Sequence, residues 1–496
     1  MSRSSGRAGR RGQFHRPQAG CLRPAFLAAT LGFLVGAISA TATGDGDGTA
    51  PAPRATSERP NILYIMADDL CYADLSCYGA TGYRTPNLDQ LATEGVRFTD
   101  AYAIAPVCSP TRVGLMTGRY PARTRAGLWE PLTGAGDAAE GLPPDPPTLP
   151  LLLKRAGYHT GLVGKWHLGW RPEFRPPRHG FDFSFGPLGG ATDYVSHVTG
   201  GPEGPARNTP ARGRAARGDA AHDLYLNGTE VERTGYLTDL FTAEAVEFLR
   251  RATPPFFLSV QYTAPHWPWQ QRGDPPYPAG RSWLRDGGSP EAYAEMMRAL
   301  DDGIGRILAL LVKLGYAQNT LVIFTSDNGG DEQLGNRGPF RGRKLQLWEG
   351  GIRVPAIVRW PGRVRAGVST DQVATTLDWS ATMLAAAGET IPADWDGLSL
   401  LPFLTAEAPA QERTICWRID QRHRHHAVRS GSWKYLKVEA LGTVDRDLAG
   451  DYLFDLSRDP GETQDLKARE PEVFARLKAR YDQWAAGMLT PIPLGP

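Results

Sequence analysis

Apolar runs that stop abruptly on charged or amide side chains recur along the chain. Asn61-Ile62-Leu63-Tyr64-Ile65-Met66-Ala67 is nearly continuous in apolar residues and gives way at once to Asp68-Asp69. A run of this length without alternation predicts a strand buried on both faces. Residues 160–163, 256–262, 320–326 and 354–359 read the same way. Between them lie segments with helical spacing: 87–94, opened by Pro86 and closed by Gly95; 149–156, stopped by Gly157; 237–251; the long amphipathic 290–314; and 372–387. A further helix is predicted to start near Pro110, with Ser109 as its N-cap and the proline in its first turn. Alternating strands and helices predict an α/β sheet with helices on both faces. Four chemically active side chains, Asp68, Lys165, His266 and Asp327, fall just past strand ends. Open α/β sheets bind ligands beyond the carboxyl ends of their strands, so the four predict one shared site.

Past 406–411, which has linker composition, come short strand-like runs at 414–418, 433–438 and 452–456 and a helix at 471–486. They predict a small C-terminal α+β domain over 410–490. Residues 131–147 and 200–219 lack periodicity and read as surface loops. No internal repeat is evident.

The amino end reads differently. Arg3, Arg7, Arg10, Arg11, Arg16 and Arg23 precede the first acidic residue, Asp45, and an apolar run at 25–40 is followed by Ala40-Thr41-Ala42. A basic start, an apolar stretch and a small-x-small site predict a secretory signal peptide over 1–42. The apolar run is shorter than the ~20 residues that span a bilayer. Export to the periplasm or the extracellular space follows, without stable membrane insertion. Loss of the leader would remove six arginines from the 55 basic residues, leaving 49 against 53 acidic ones, so the net charge of +2 becomes −4. No basic footprint for nucleic acid remains. Glycine and proline make up about a fifth of the chain, too little for low complexity. Five cysteines, one of them in the leader, are too few for a disulfide scaffold. Cys71 and Cys77 read equally well as a pair or as two small buried side chains.

Asp68, Asp69, Asp327 and Asn328 offer four hard oxygen donors, each pair placed after an apolar strand. Such a set suits Ca²⁺, or Mg²⁺ with stricter geometry. The absence of cysteine or histidine among the four argues against zinc. Cys108-Ser109-Pro110-Thr111-Arg112 reads C-x-P-x-R, ahead of a helix N-terminus where negative charge is favoured. Arg112 lies one turn on and reaches the same point. Only eight lysines are present; Lys165 follows an apolar strand, and Lys344 lies in Arg341-Gly342-Arg343-Lys344, where Arg343 competes for the same role. Of ten histidines, His167 and His266 follow strands, whereas His423, His425 and His426 read as surface residues. Trp166, Trp170, Trp267 and Trp269 flank these loops, as core packing or as a stacking face for a ring.

With Gly164-Lys165-Trp166-His167, Pro265-His266, Asp327-Asn328-Gly329 and Gly342-Arg343-Lys344 following in order, the chain resembles the type I sulfatases of the alkaline phosphatase superfamily. The likeness runs from about Pro60 to about Trp484 and includes Gly431-Ser432-Trp433-Lys434-Tyr435 and Leu453-Phe454-Asp455-Leu456. Cys71 stands where glycine is common and Thr111 where serine is frequent; neither removes a functional group. The resemblance implies a large mixed β-sheet sandwiched by helices, with a catalytic domain over 58–405. It implies that a maturation enzyme oxidises Cys108 to formylglycine, whose hydrate attacks sulfate esters of carbohydrates or aryl compounds. Asp68, Asp69, Asp327 and Asn328 would hold Ca²⁺ together with the modified residue 108. Arg112, Lys165, His167, His266 and Lys344 would be the remaining catalytic groups. A phosphonate or phosphate monoester hydrolase on the same scaffold is one alternative, weakened by the single oxygen-rich cation site. A non-catalytic sulfated-glycan binder is the other, weakened because no catalytic group is missing.

Overall fold

Eleven strands form one large sheet among the residues described by this computed structural model, which are 59–133, 140–198, 223–276, 288–331 and 333–492. The expected leader, the 200–219 loop and part of the 131–147 loop lie outside them. The strands are β1 (Asn61–Asp68), β2 (Val96–Tyr102), β3 (His159–Gly164), β4 (Phe183–Gly186), β5 (Tyr225–Leu226), β6 (Thr229–Glu230), β7 (Phe256–Pro265), β8 (Thr320–Ser326), β9 (Arg353–Arg359), β10 (Val368–Thr370) and β11 (Ala374–Thr375). Their order is β10-β2-β9-β8-β1-β7-β3-β4-β5-β6, with β11 beside β2. β8, β1, β7, β3 and β4 run parallel; β9 is antiparallel to both of its neighbours, so the sheet is mixed.

The central strands are apolar on both faces because both faces are covered. Leu63, Ile65 and Ala67 of β1 join Phe241, Met297 and Leu300 on one side; Ile62, Tyr64 and Met66 join Leu115, Leu153 and Trp379 on the other. The helices concerned are α1 (Pro86–Thr93), α2 (Cys108–Thr117), α3 (Leu149–Arg155), α4 (Leu237–Arg251), α5 (Pro290–Lys313), the short α6 (Glu349–Ile352) and α7 (Thr376–Ala386), which the one-turn α8 (Leu401–Leu404) follows.

Two expectations change, and several strands were not foreseen. Ser109 does not cap α2: the helix starts at Cys108, Val107 is its cap, and the Ser109 hydroxyl instead accepts the Leu132 N–H at 3.1 Å. β2 was not predicted, because Arg97, Thr99 and Asp100 interrupt its apolar positions. The predicted helix over 372–387 is preceded by β11 and begins only at Thr376, where Thr375 and Asp378 form a reciprocal capping box.

Residues 414–455 add a four-stranded antiparallel sheet in simple sequence order: β12 (Thr414–Ile419), β13 (Arg424–Ser430), β14 (Trp433–Glu439) and β15 (Gly450–Asp455). One face packs on α9 (Pro471–Ala486) through Val428, Tyr435, Leu477 and Tyr481. The other shares a core with the large sheet, Trp417, Leu436 and Phe454 meeting Tyr102, Leu347 and Trp348. Residues 53–496 thus form one compact unit that contains every described residue. Among the described residues, no helix is long and apolar enough to cross a membrane.

Candidate active site

The carboxyl ends of β8, β1, β7 and β3 adjoin, and each delivers part of the site. β1 ends at Asp68 and leads into Asp69; β8 leads into Asp327 and Asn328; β7 leads into His266; β3 leads into Lys165 and His167. The first residue of α2 is Cys108, Arg112 follows one turn on, and the loop between β8 and α6 contributes Lys344. Tight backbone geometry holds these ends. Asp69, His167 and Leu345 adopt φ of 61°, 58° and 72°, a left-handed conformation that costs about 1–3 kcal/mol for a side-chain-bearing residue. Gly164 has φ 108°, and a Cβ there would lie 1.9 Å from the Gln261 carbonyl oxygen that accepts the Lys165 N–H.

Nine of the predicted site residues form one connected cluster. Cys108 Sγ lies 3.4 Å from Asp68 Oδ1, and Lys165 Nζ donates to Asp68 Oδ2 at 2.5 Å. Arg112 donates to Asp327 Oδ2 through Nη2 at 2.8 Å and Nε at 3.2 Å. Asp327 Oδ1 accepts the Asp69 N–H at 3.1 Å. The Asn328 amide donates to Asp69 Oδ1 at 2.6 Å, and Lys344 Nζ donates to Asp69 Oδ2 at 2.7 Å. His266 Nε2 stands 3.6 Å from the same oxygen, while its Nδ1–H is donated to the Trp267 carbonyl. His167 stands one layer out, near enough for the charges of Lys165, Arg112 and Lys344 to act on its ring. Its Nε2–H is donated to the Leu132 carbonyl at 2.8 Å, and Nδ1 is buried without a partner.

Electrostatics distinguish the members. Burial raises the Asp68 carboxyl, but Lys165, Arg112 and Lys344 together outweigh it and hold Asp68 below its ordinary value. Burial pushes Asp69 up to about 7, with Lys344 opposing and Asp68 and Asp327 reinforcing. Asp327 is raised by burial and by Asp68. The Cys108 thiol is driven up by burial and by Asp68, so it is held as a neutral thiol, not a thiolate. Burial, Lys165 and Lys344 hold both histidines neutral, far below the usual imidazole value.

The carboxylate and amide oxygens of this site fit a hard divalent cation, whereas the Cys108 thiol and the His266 ring beside them are softer donors. Asp68, Asp69, Cys108 and His266 each bring one ligand atom within 4.8 Å of the others. Burial raises the carboxyls of Asp69 and Asp327, with Asp68 and Asp327 adding to the first and Asp68 to the second, a cost that a cation would relieve. The Asn328 side-chain oxygen is buried without a hydrogen-bond partner, an unmet acceptor of the hard type such an ion takes.

The sequence pointed past some supporting residues. Gln261, a lone amide inside the apolar run of β7, accepts from Arg112 Nη1 at 3.0 Å. Asp74 ties the loop after β1 to that after β8, accepting from the N–H groups of Cys71 and Asn336, both at 2.8 Å, and from the Tyr293 hydroxyl at 2.6 Å. Cys71 and Cys77 are both free thiols. Trp166 and Trp269 are buried in the core, whereas Trp170 and Trp267 are half-buried, the latter with its ring 6.0 Å from Lys344 Nζ. His423 and His425 are not surface residues as their polar context suggested. Both are buried and share Asp445 Oδ2. The Leu347 N–H points at His425 Nδ1 at 3.1 Å, so Nε2 carries the ring proton and has no lone pair to give a metal.

Comparison with known proteins gives the family. A family model described as Sulfatase matches residues 60–389, and one described as N-sulphoglucosamine sulphohydrolase, C-terminal, matches 335–486. N-acetylgalactosamine-6-sulfatase of Homo sapiens is 35% identical over 466 residues, covering 86% of this chain and 85% of that protein. Arylsulfatase A of Homo sapiens is 34% identical over 467 residues, covering 86% and 87%. The crystal structure of Ps i-CgsB in complex with k-i-k-neocarrahexaose superposes with a TM-score of 0.75 at 31% identity, covering 88% of this chain and 95% of that one. The chain belongs to the sulfatase family, as a type I member of the alkaline phosphatase superfamily, and is a sulfuric ester hydrolase.

Proposed function

We propose that this protein hydrolyses sulfate esters of carbohydrates, using formylglycine made from Cys108 by a maturation enzyme. The observation that supports this most is the state of Cys108. Its sulfur is buried at a helix N-terminus, 3.4 Å from Asp68, with its proton held on, so the thiol is a poor nucleophile where a nucleophile is needed. An aldehyde hydrate at the same place has two hydroxyls. One would attack sulfur, passing its proton to Asp68, the carboxylate beside it that is held ionised, as the bond from sulfur to the leaving alcohol oxygen breaks and residue 108 becomes the sulfate ester. His167, whose bare Nδ1 is free to accept, takes the proton of the second hydroxyl. The C–O bond to sulfate then breaks, sulfate departs and the aldehyde re-forms, to be hydrated again by water.

Arg112, Lys165 and Lys344 place three cations around the cluster to offset charge on the sulfate oxygens. His266 is the proton donor to the leaving oxygen, with Lys344 beside it. The resting ring is neutral because burial and the two lysines keep it so; the negative charge of a bound sulfate opposes those lysines and raises its proton affinity. Asp68, Asp69, Asp327 and Asn328, with residue 108, would hold Ca²⁺, which supplies charge to acidify the attacking hydroxyl and to bind sulfate.

Carbohydrate is preferred because a sugar is named both for a relative, N-acetylgalactosamine-6-sulfatase, and for a solved structure, holding a neocarrahexaose, against the aryl ester named for arylsulfatase A. The half-buried Trp267 offers a ring face beside Lys344. Within this reading, 58–405 is the catalytic part and 410–490 the smaller C-terminal part. The leader at 1–42 directs export to the periplasm or beyond, and no nucleic acid is involved. The test is a mass measurement of the tryptic peptide containing residue 108, combined with a screen of the matured enzyme against defined sulfated saccharides and aryl sulfates, read as free sulfate. The aldehyde mass is expected in active protein, and Cys108→Ala should lose at least about a thousandfold in turnover with its melting temperature kept. Full activity from protein with an intact thiol would refute the mechanism; release from aryl sulfates alone would refute the substrate class.

A further inference from the structure

We propose that Glu130 is a positioning residue for His167, a strut that fixes which nitrogen of the imidazole is free. The idea rests on His167 being the base proposed above. Glu130 is buried, and its Oε2 accepts two successive backbone N–H groups at the tip between β12 and β13: Asp420 at 2.7 Å and Gln421 at 2.8 Å. Its own N–H donates to Gln421 Oε1 at 2.9 Å, so carboxylate and backbone clasp the tip from both ends. Burial pushes the carboxyl up to about 8 in spite of those donors, which makes it a poor choice for packing alone.

Two residues on, Leu132 performs the corresponding task toward the site. Its N–H donates to Ser109 Oγ at 3.1 Å, next to Cys108, and its carbonyl accepts His167 Nε2 at 2.8 Å. Residues 130–132 therefore run from the C-terminal sheet to both the nucleophile's helix and the base. With the ring proton committed to the Leu132 carbonyl, Nδ1 holds the lone pair, and it is the buried atom without a partner. If the clasp is lost, the Leu132 carbonyl can turn away and the ring populates both tautomers, one of which has no base at Nδ1.

In the matured enzyme, Glu130→Ala should lose kcat about ten- to a hundredfold, the usual effect of removing an orienting partner, while KM stays within about threefold. Glu130→Gln keeps an oxygen that accepts both N–H groups and should retain most of kcat. In ¹⁵N spectra of histidine-labelled protein, His167 should carry its proton on Nε2 alone, and Glu130→Ala should give a mixture of tautomers. An unchanged tautomer overturns the proposal even where Glu130→Ala is slow, because the loss is then structural. His167→Ala, measured alongside, separates the two layers. Undiminished kcat there removes the base and the strut together; a large loss there with an undiminished Glu130→Ala removes the strut alone. Should Glu130→Ala not fold, Gln421→Ala opens one side of the clasp and is held to the same two readings, with a smaller loss expected.

Discussion

At the junction of the two sheets, Lys434 Nζ lies 2.8 Å from both Glu349 Oε1 and Glu462 Oε1. Arg353 reaches Asp100 at 2.7 Å and Glu349 at 3.2 Å, and Arg429 reaches Asp100 at 2.7 Å. At the carboxyl ends of the central strands, Asp68, Asp69 and Asp327 face Arg112, Lys165 and Lys344. Each cluster is buried and each sets three carboxylates against three cations, yet they are finished differently. At the junction the leftover capacity is taken up locally: Tyr102 donates to Glu349 Oε2 at 2.6 Å, the Glu349 N–H to Glu462 Oε2 at 2.7 Å, and Arg353 Nε to the Thr99 carbonyl at 2.8 Å. At the strand ends an amide oxygen of Asn328 and a ring nitrogen of His167 stay unmet with no charge facing them as a partner; at the junction Glu462 Oε1 also lacks a hydrogen bond, but the Lys434 ammonium faces it at 2.8 Å. Equal charge inventories thus serve opposite ends. One fixes a fold, and the other leaves acceptor atoms open, as the proposed binding of an ion and a sulfate requires.

Stripping divalent ions should break the comparison most visibly. Chelation should lower the activity of the matured enzyme at least about a hundredfold, and restoring Ca²⁺ should recover it and raise the melting temperature by roughly a few degrees. Activity indifferent to chelator would make the strand-end cluster as closed as the other. Next, Lys434→Met leaves Glu349 and Glu462 without their shared cation. It should cost about 3–5 kcal/mol of stability, the usual penalty for orphaning a buried charge, seen in denaturant melts. Turnover per folded molecule should stay within about threefold, because Lys434 touches no reacting group. The smallest effect is on pH. Burial, against Lys434 and with Glu349, raises Glu462 from 4.5 to about 7. The folded chain then keeps a proton that the unfolded chain gives up, so stability should fall as pH rises from about 4.5 to about 7 and level off above. Asp69 and Glu130, raised to about 7 and about 8, add to the same slope, so Glu462→Gln should make it shallower in a melting series; an unchanged slope would assign it to other groups.

The same contrast explains what could be read beforehand. Helices at Leu237–Arg251 and Pro471–Ala486 and the strand Thr320–Ser326 fall where periodicity put them, because each buries a continuous apolar face. The strand-end residues could be found because a charge directly after an apolar run is an anomaly visible locally. The junction could not. β2 and β13 look polar, since Asp100, Arg429, His423 and His425 are satisfied by partners far away in sequence. For the same reason the histidines read as surface residues. Ser109 looked like a helix cap because serine before proline usually is one, and only the fold brings Leu132 to its hydroxyl. Glu130 carries no local sign at all, because its partners at 420 and 421 meet it only in the assembled unit.

One consequence follows from the core that Trp417, Leu436 and Phe454 share with Leu347 and Trp348. Those two residues follow Lys344 in the same loop, and Trp417 donates its indole N–H to the Ala103 carbonyl, a few positions before Cys108. The last eighty or so residues are therefore a floor beneath the chemistry, not an appendage to it. Exchanging the whole segment between relatives would therefore disturb the loop that carries Lys344 and the backbone leading into the helix that begins at Cys108.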